Sequence, residues 1–151
     1  MHSEVSIEID RPIAEVFDFT VNHVAKWSII VVEDEVIEEK PEVVGTTFRT
    51  ITEENGHRME FQGVVTWHDP PNASSAFLTG QQFNIEVEYA FEDLGGRTRV
   101  TQRSTVTGKG VIKLMFFFFG WMMKKSSCNA AEKELKNLKR LLEQDSDTPD
   151  P

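Results

Sequence analysis

KGVIKLMFFFFGWMMKKSSCNAAEKELKNLKRLLE, residues 109–143, lies in the longest proline-free part of the chain and carries helical periodicity from end to end. Counting back from Leu142 by threes and fours gives Leu138, Leu135, Ala131 and Cys128, then Trp121, Phe117 and Leu114. This is one apolar stripe, interrupted by Lys124. At about 1.5 Å per residue the helix is roughly 50 Å long, more than one small sheet is wide, so its two ends have different tasks. The second half is ordinarily amphipathic, whereas Met115 to Met123 is apolar almost all the way round.

The chain before this helix reads as strands. Val5, Ile7 and Ile9 alternate with polar residues until Asp10 and Pro12 stop the strand and start a short helix carrying Ile13, Val16 and Phe17. Asn22 is a cap candidate for a second short helix with Val24 and Trp27. An acidic strand follows from Val31 to Glu39, and then Thr46 to Glu54, which turns through Asn55-Gly56 into its partner. There Met59, Phe61, Val65 and Trp67 are expected to share a face, with Asp69, Pro70 and Pro71 ending the strand. A shorter strand runs from Ser75 to Thr79. After it, Phe83, Ile85, Val87, Tyr89 and Phe91 alternate with Asn84, Glu86, Glu88 and Glu92. Gly95-Gly96 makes a second hairpin into Arg97–Thr107, whose arginines point outward toward those glutamates while Gln102 and Ser104 point inward.

The order is one strand, two short helices, an antiparallel meander and one long helix. That is an α+β layout in which only the final helix is large enough to cover the inner face of about six or seven strands. One domain over residues 1–143 accounts for the chain, and QDSDTPDP, residues 144–151, reads as a disordered acidic tail.

Composition narrows the function. A net charge of −9 argues against nucleic acid, whose phosphates need Lys and Arg, and disfavours an anionic membrane surface for the same reason. The N-terminus has no export signal pattern, and the single cysteine, Cys128, fits a reducing cytoplasm. The apolar run Val111–Met123 is shorter than the ~20 residues of a spanning helix.

Several segments together resemble the Bet v 1-like, or START-like (SRPBCC), superfamily, and within it the single-domain polyketide cyclase/dehydrase-like proteins. They are VSIEIDRPIAEVFDFTVN from Val5, AKW at Ala25–Trp27, VGTTF at Val44–Phe48, WHDPPNASSAF at Trp67–Phe77, YAFEDLGGRTRVT at Tyr89–Thr101 and ELKNLKRLLE from Glu134. The resemblance implies a helix-grip fold, a curved antiparallel sheet wrapped around the C-terminal helix with a cavity for apolar or amphipathic small molecules between them. It implies no single reaction, because the superfamily includes lipid carriers, metabolite binders and aromatase/cyclases.

Expected wall residues of such a cavity are Trp27, Phe48, Phe61, Phe77, Phe83, Gln102, Ser104, Phe117, Trp121 and Met122, each of which would equally serve as plain core. Gln102 and Ser104 carry more information, since inward polar groups need partners, from a ligand, the backbone or other short polar side chains. The surplus of Phe116, Phe118, Phe119 and Met123 has four outlets: a cavity mouth, a homodimer interface, a lipid surface, or packing under the short helices. No catalytic set emerges. His2, His23, His57 and His68 are scattered and read as surface residues, Cys128 falls on the packed stripe, and no metal-ligand spacing or cofactor motif is present. The leading expectation is a carrier or binding protein for a hydrophobic small molecule. An aromatase/cyclase-like enzyme and a membrane- or partner-docking module are the alternatives.

Overall fold

The computed structural model describes residues 1–147, with the side chains of Trp121, Met123, Lys124 and residues 145–147 outside the description. The elements are β1 (His2–Ile9), α1 (Ile13–Asn22), α2 (Val24–Trp27), β2 (Val31–Glu38), β3 (Thr47–Glu54), β4 (His57–Asp69), β5 (Ala73–Thr79), β6 (Phe83–Asp93), β7 (Thr98–Gly108) and α3 (Val111–Asp147). They form one antiparallel seven-stranded sheet in the order β1-β7-β6-β5-β4-β3-β2. The first strand therefore pairs with the last, and α1 and α2 carry the chain to the opposite edge. This is the helix-grip arrangement that the resemblance implies.

The two hairpins form where the turn chemistry places them. Asn55 and Gly56 both have positive φ (52° and 80°), as do Gly95 and Gly96 (83° and 89°), which matches the twist of tight antiparallel turns. On the outer face Arg99 bonds Glu92 at 2.9 Å, and Arg103 reaches Glu88 at 3.2 Å and Glu4 at 3.5 Å. These exposed pairs each contribute little to stability.

Four local expectations are corrected. Asn22 is the last residue of α1 and donates to Asp18 at 2.8 Å, while His23 stands at the start of α2. Trp67 does not share the face of Met59 and Phe61, because a bulge between Val65 and Trp67 adds one residue and reverses the alternation. Trp67 is consequently 56% exposed. The same shift turns His68 inward, so it is not a surface residue: its ring centroid lies 5.7 Å from that of Phe17. Residues 144–147, expected as tail, continue α3, and 148–151 lie outside the described residues.

The packed core sits at one end of the molecule, where Ile9, Val16, Phe17, Trp27, Phe91 and Val100 meet Leu135, Leu138 and Leu142. The hydrogen bonds that α3 makes there come from Glu134 to Glu143. Asn137 donates to the Trp27 carbonyl at 2.6 Å, Lys139 to the Glu8 carbonyl at 2.7 Å, and the Leu142 carbonyl accepts from Arg11 at 2.9 Å.

The apolar stripe of α3 is therefore not one packing face. Ala131, Leu135, Leu138 and Leu142 are buried, but Leu114 is 58% and Phe117 82% exposed. Length is the reason. A helix of 37 residues measures about 55 Å, whereas β7, with 11 residues, measures about 37 Å.

Candidate functional site

The inner face of the sheet changes character from the packed end toward the other. Cross-strand pairing aligns His68 with Ser74, Ser74 with Tyr89, Tyr89 with Gln102, and Gln102 with Val5. Four polar side chains from four consecutive strands thus form one row across the sheet, directly beyond the core. The Tyr89 ring meets Trp27 edge-on, with centroids 6.3 Å apart.

This row is only partly satisfied from within. Ser74 donates to the Trp67 carbonyl at 3.3 Å. His68 Nδ1 and Gln102 Oε1 are buried without a hydrogen-bond partner among the described residues. A buried polar atom left unpaired costs about 1–3 kcal/mol, so such atoms mark a place where another molecule can bond. Ser104, one row further out, is satisfied differently: its hydroxyl bonds that of Ser3 at 2.8 Å, leaving Gln102 as the unpaired member of the expected inward pair.

Tyr89 within the row and Glu134 beside it are both shifted by burial. Burial pushes the Tyr89 phenol well above its ordinary value, with the Glu134 carboxylate adding to the effect, so Tyr89 is a neutral donor at physiological pH. Burial likewise raises Glu134, opposed by its bonds from the Ser28 hydroxyl (2.5 Å) and the Ile29 amide (2.7 Å). Glu134 also ties α3 to the chain after α2, so its position is structurally held.

Beyond the polar row the inner face is apolar and half-buried, through Val65, Ala76, Leu78, Ile85, Val87 and Val106. α3 packs chiefly on β1 and β7, leaving the β4–β6 part of this face as a trough. The outer end is closed by aromatic rings over glycines. The Phe48 ring lies across Gly63, where any Cβ would overlap it, and Phe61 lies against Gly80 and Phe83, with ring centroids of the two phenylalanines 5.6 Å apart. β4 runs past the end of β5, since Gln62–Thr79 is their last pair. A cleft of about 710 Å³ opens there between β4 and the turn at residues 80–82, with Phe61, Phe83 and Lys109 in its wall. Its lining is mixed, with Arg58, Glu60 and Gln62 beside the two rings, and it includes no residue of the polar row.

The expected wall residues divide accordingly. Phe48, Phe61, Phe83, Gln102 and Ser104 share the inner face. Trp27 is core, 1% exposed, with its indole N–H donated to the Thr20 carbonyl at 3.0 Å. Phe77 pairs with Val64 and Glu86, which places it on the outer face because its neighbours Ala76 and Leu78 point inward. Phe117 and Met122, 82% and 54% exposed, are not cavity walls, since their half of α3 is not packed on the sheet. The Trp121 and Met123 side chains lie outside the described residues. His68, Ser74, Tyr89 and Glu134 were not among the expected residues. The inward phase of Tyr89 was readable in β6, but the bulge concealed that of His68.

The model of the family described as polyketide cyclase / dehydrase and lipid transport matches residues 1–143. Among solved structures, a START superfamily protein from Mycobacterium smegmatis superposes with a TM-score of 0.81 at 17% identity, covering 95% of this chain and 97% of its own. A protein from Thermus thermophilus gives 0.76 at 18% identity, over 93% and 95% of the two chains. The Zhui aromatase/cyclase from Streptomyces sp. R1128 gives 0.64 at 14% identity, again over 93% and 95%. No curated protein matches the chain.

Proposed function

The chain belongs to the polyketide cyclase / dehydrase and lipid transport family, and from that premise we propose that it is a carrier for a hydrophobic small molecule bearing a polar head, held in the trough between sheet and α3. The observation that carries this reading is the row His68–Ser74–Tyr89–Gln102, with two unpaired buried atoms, at the inner end of an apolar, half-buried face. Burial of the apolar body supplies most of the affinity, at roughly 25 cal/mol per Å², and the row sets orientation. The Gln102 carbonyl accepts a donor such as a hydroxyl, and the neutral Tyr89 phenol is a donor in the same row.

One observation favours a second reading. His68, Tyr89 and Glu134 bring titratable groups to the inner end of the trough, which an aromatase/cyclase-like enzyme needs to move protons during ring closure or dehydration. The carrier reading ranks first because Glu134 is already engaged by Ser28 and Ile29.

Isothermal titration with 2-naphthol and naphthalene tests the proposal. The expected result is binding of both, naphthol about five- to tenfold tighter through one hydrogen bond, and loss of that preference in Gln102→Leu. Absence of binding for both compounds, or a preference unchanged in Gln102→Leu, overturns it.

A further inference from the structure

Over its first turns α3 exposes Leu114, Met115, Phe117, Phe118, Phe119 and Met122, each between 44% and 82% accessible. At about 100° per residue these positions spread over roughly 200° of the helix circumference. The half-buried Ile112, Phe116 and Gly120 lie on the remaining side. A single rigid packing partner covers an arc of about 100°, so a second copy of the chain would leave much of this surface in water. A fluid apolar phase can follow the whole arc.

The charges around the segment point the same way. Lys109 and Lys113 precede the aromatic run, Lys124 and Lys125 follow it, and no Asp or Glu occurs from residue 94 to residue 131, in a chain of net charge −9. Lys113 and Lys125 are exposed and in no ion pair among the described residues. Long lysine stems lie along apolar surface while their ammonium groups reach headgroup phosphates. We infer that residues 111–125 of α3 form an interfacial anchor that seats the protein on an anionic lipid surface, phenylalanines in the acyl boundary and lysines among the headgroups.

The anchor lies in the interface without crossing it. Residues 111–122 span only about 18 Å, and no described helix is long and apolar enough to cross a membrane. The net negative charge does not prevent docking, because charges beyond about 8 Å are screened at physiological salt and every charged residue from 94 to 131 is Lys or Arg. Lys109, two residues before the anchor, donates to the Gly80 carbonyl at 2.8 Å and lines the cleft, so docking brings the cleft to the lipid. The anchor rests on the helix surface and its charges, independently of any ligand in the trough.

Flotation of the full chain with phosphatidylcholine vesicles, with and without phosphatidylglycerol, tests it. Wild type is expected to float with phosphatidylglycerol and to lose most of that association on its omission or in high salt. Each of Phe118→Ser and Phe119→Ser lowers partitioning about tenfold. Each of Lys113→Glu and Lys125→Glu lowers it about fivefold or more. Circular dichroism and melting of all four variants stay as in wild type, because the side chains are exposed. Wild type left behind by both vesicles, or Phe118→Ser/Phe119→Ser floating as wild type does, overturns the inference. So does a dimer in sedimentation equilibrium that this double variant dissociates, without vesicle binding.

Discussion

Leu138 and Leu114 occupy the same apolar stripe of α3, yet replacing each by alanine is expected to have very different consequences. Leu138 is 0% exposed and packed between Trp27, Val100 and the other core side chains, whereas Leu114 is 58% exposed. Leu138→Ala removes three carbon groups at about 0.8 kcal/mol each, and the residual cavity adds about 1 kcal/mol more, for a total of about 3–4 kcal/mol. Leu114→Ala loses less than half of that transfer contribution and leaves no closed cavity. Alanine also returns a few tenths of a kcal/mol in helix propensity, so the net cost stays below about 1 kcal/mol. Urea denaturation gives both numbers directly. In thermal melts the difference corresponds to roughly 10 °C for Leu138→Ala against about 2 °C for Leu114→Ala, at a few degrees per kcal/mol for a chain of this size. Equal costs for the two substitutions would refute the division of α3 into a packed half and an unpacked half, and the interfacial anchor with it.

Two further outcomes are expected. Gly63→Ala pushes a methyl group into the Phe48 ring and costs about 1–3 kcal/mol by chemical denaturation, while Gly120→Ala, with nothing within 4 Å of the new atom, raises stability by up to about 1 kcal/mol; the opposite ranking would disprove the close ring-on-glycine contact. Glu134 binds its proton more tightly folded than unfolded, so its contribution is greatest below the ordinary value of 4.5 and is lost as pH rises through the raised folded value; Glu134→Gln lacks this dependence, and the stability difference between the proteins, followed from about pH 4 to about pH 7, should move in the variant's favour. A pH-independent difference would contradict the buried placement of this carboxyl.

Much of the architecture was legible in the chain because it rests on local rules. Alternation in Val5–Ile9 and Phe83–Phe91, and the paired turn residues Asn55-Gly56 and Gly95-Gly96, specify strands and hairpins through side-chain period and positive φ, which neighbouring residues decide among themselves. The segregation of one long helix after a meander then leaves few ways to cover the sheet. Periodicity also identified Gln102 and Ser104 as inward polar residues.

The site itself was decided by the tertiary structure. Whether an apolar position is buried depends on what stands opposite it, and nothing in the stripe from Leu114 to Leu142 records that the helix outruns its sheet. One inserted residue in β4 exchanged the faces of Trp67 and His68, an effect that strict alternation cannot register. Phe77 was lost to the outer face because strand phase is set by pairing with β4 and β6 across the sheet. The row His68–Ser74–Tyr89–Gln102 joins residues that sequence separates by up to 34 positions, and it exists only through the register of four strands. Sequence determined the elements and their order, because these follow from short-range backbone and side-chain preferences. Register and helix length against the sheet determined which residues face the trough, which fill the core, and which are left exposed on α3.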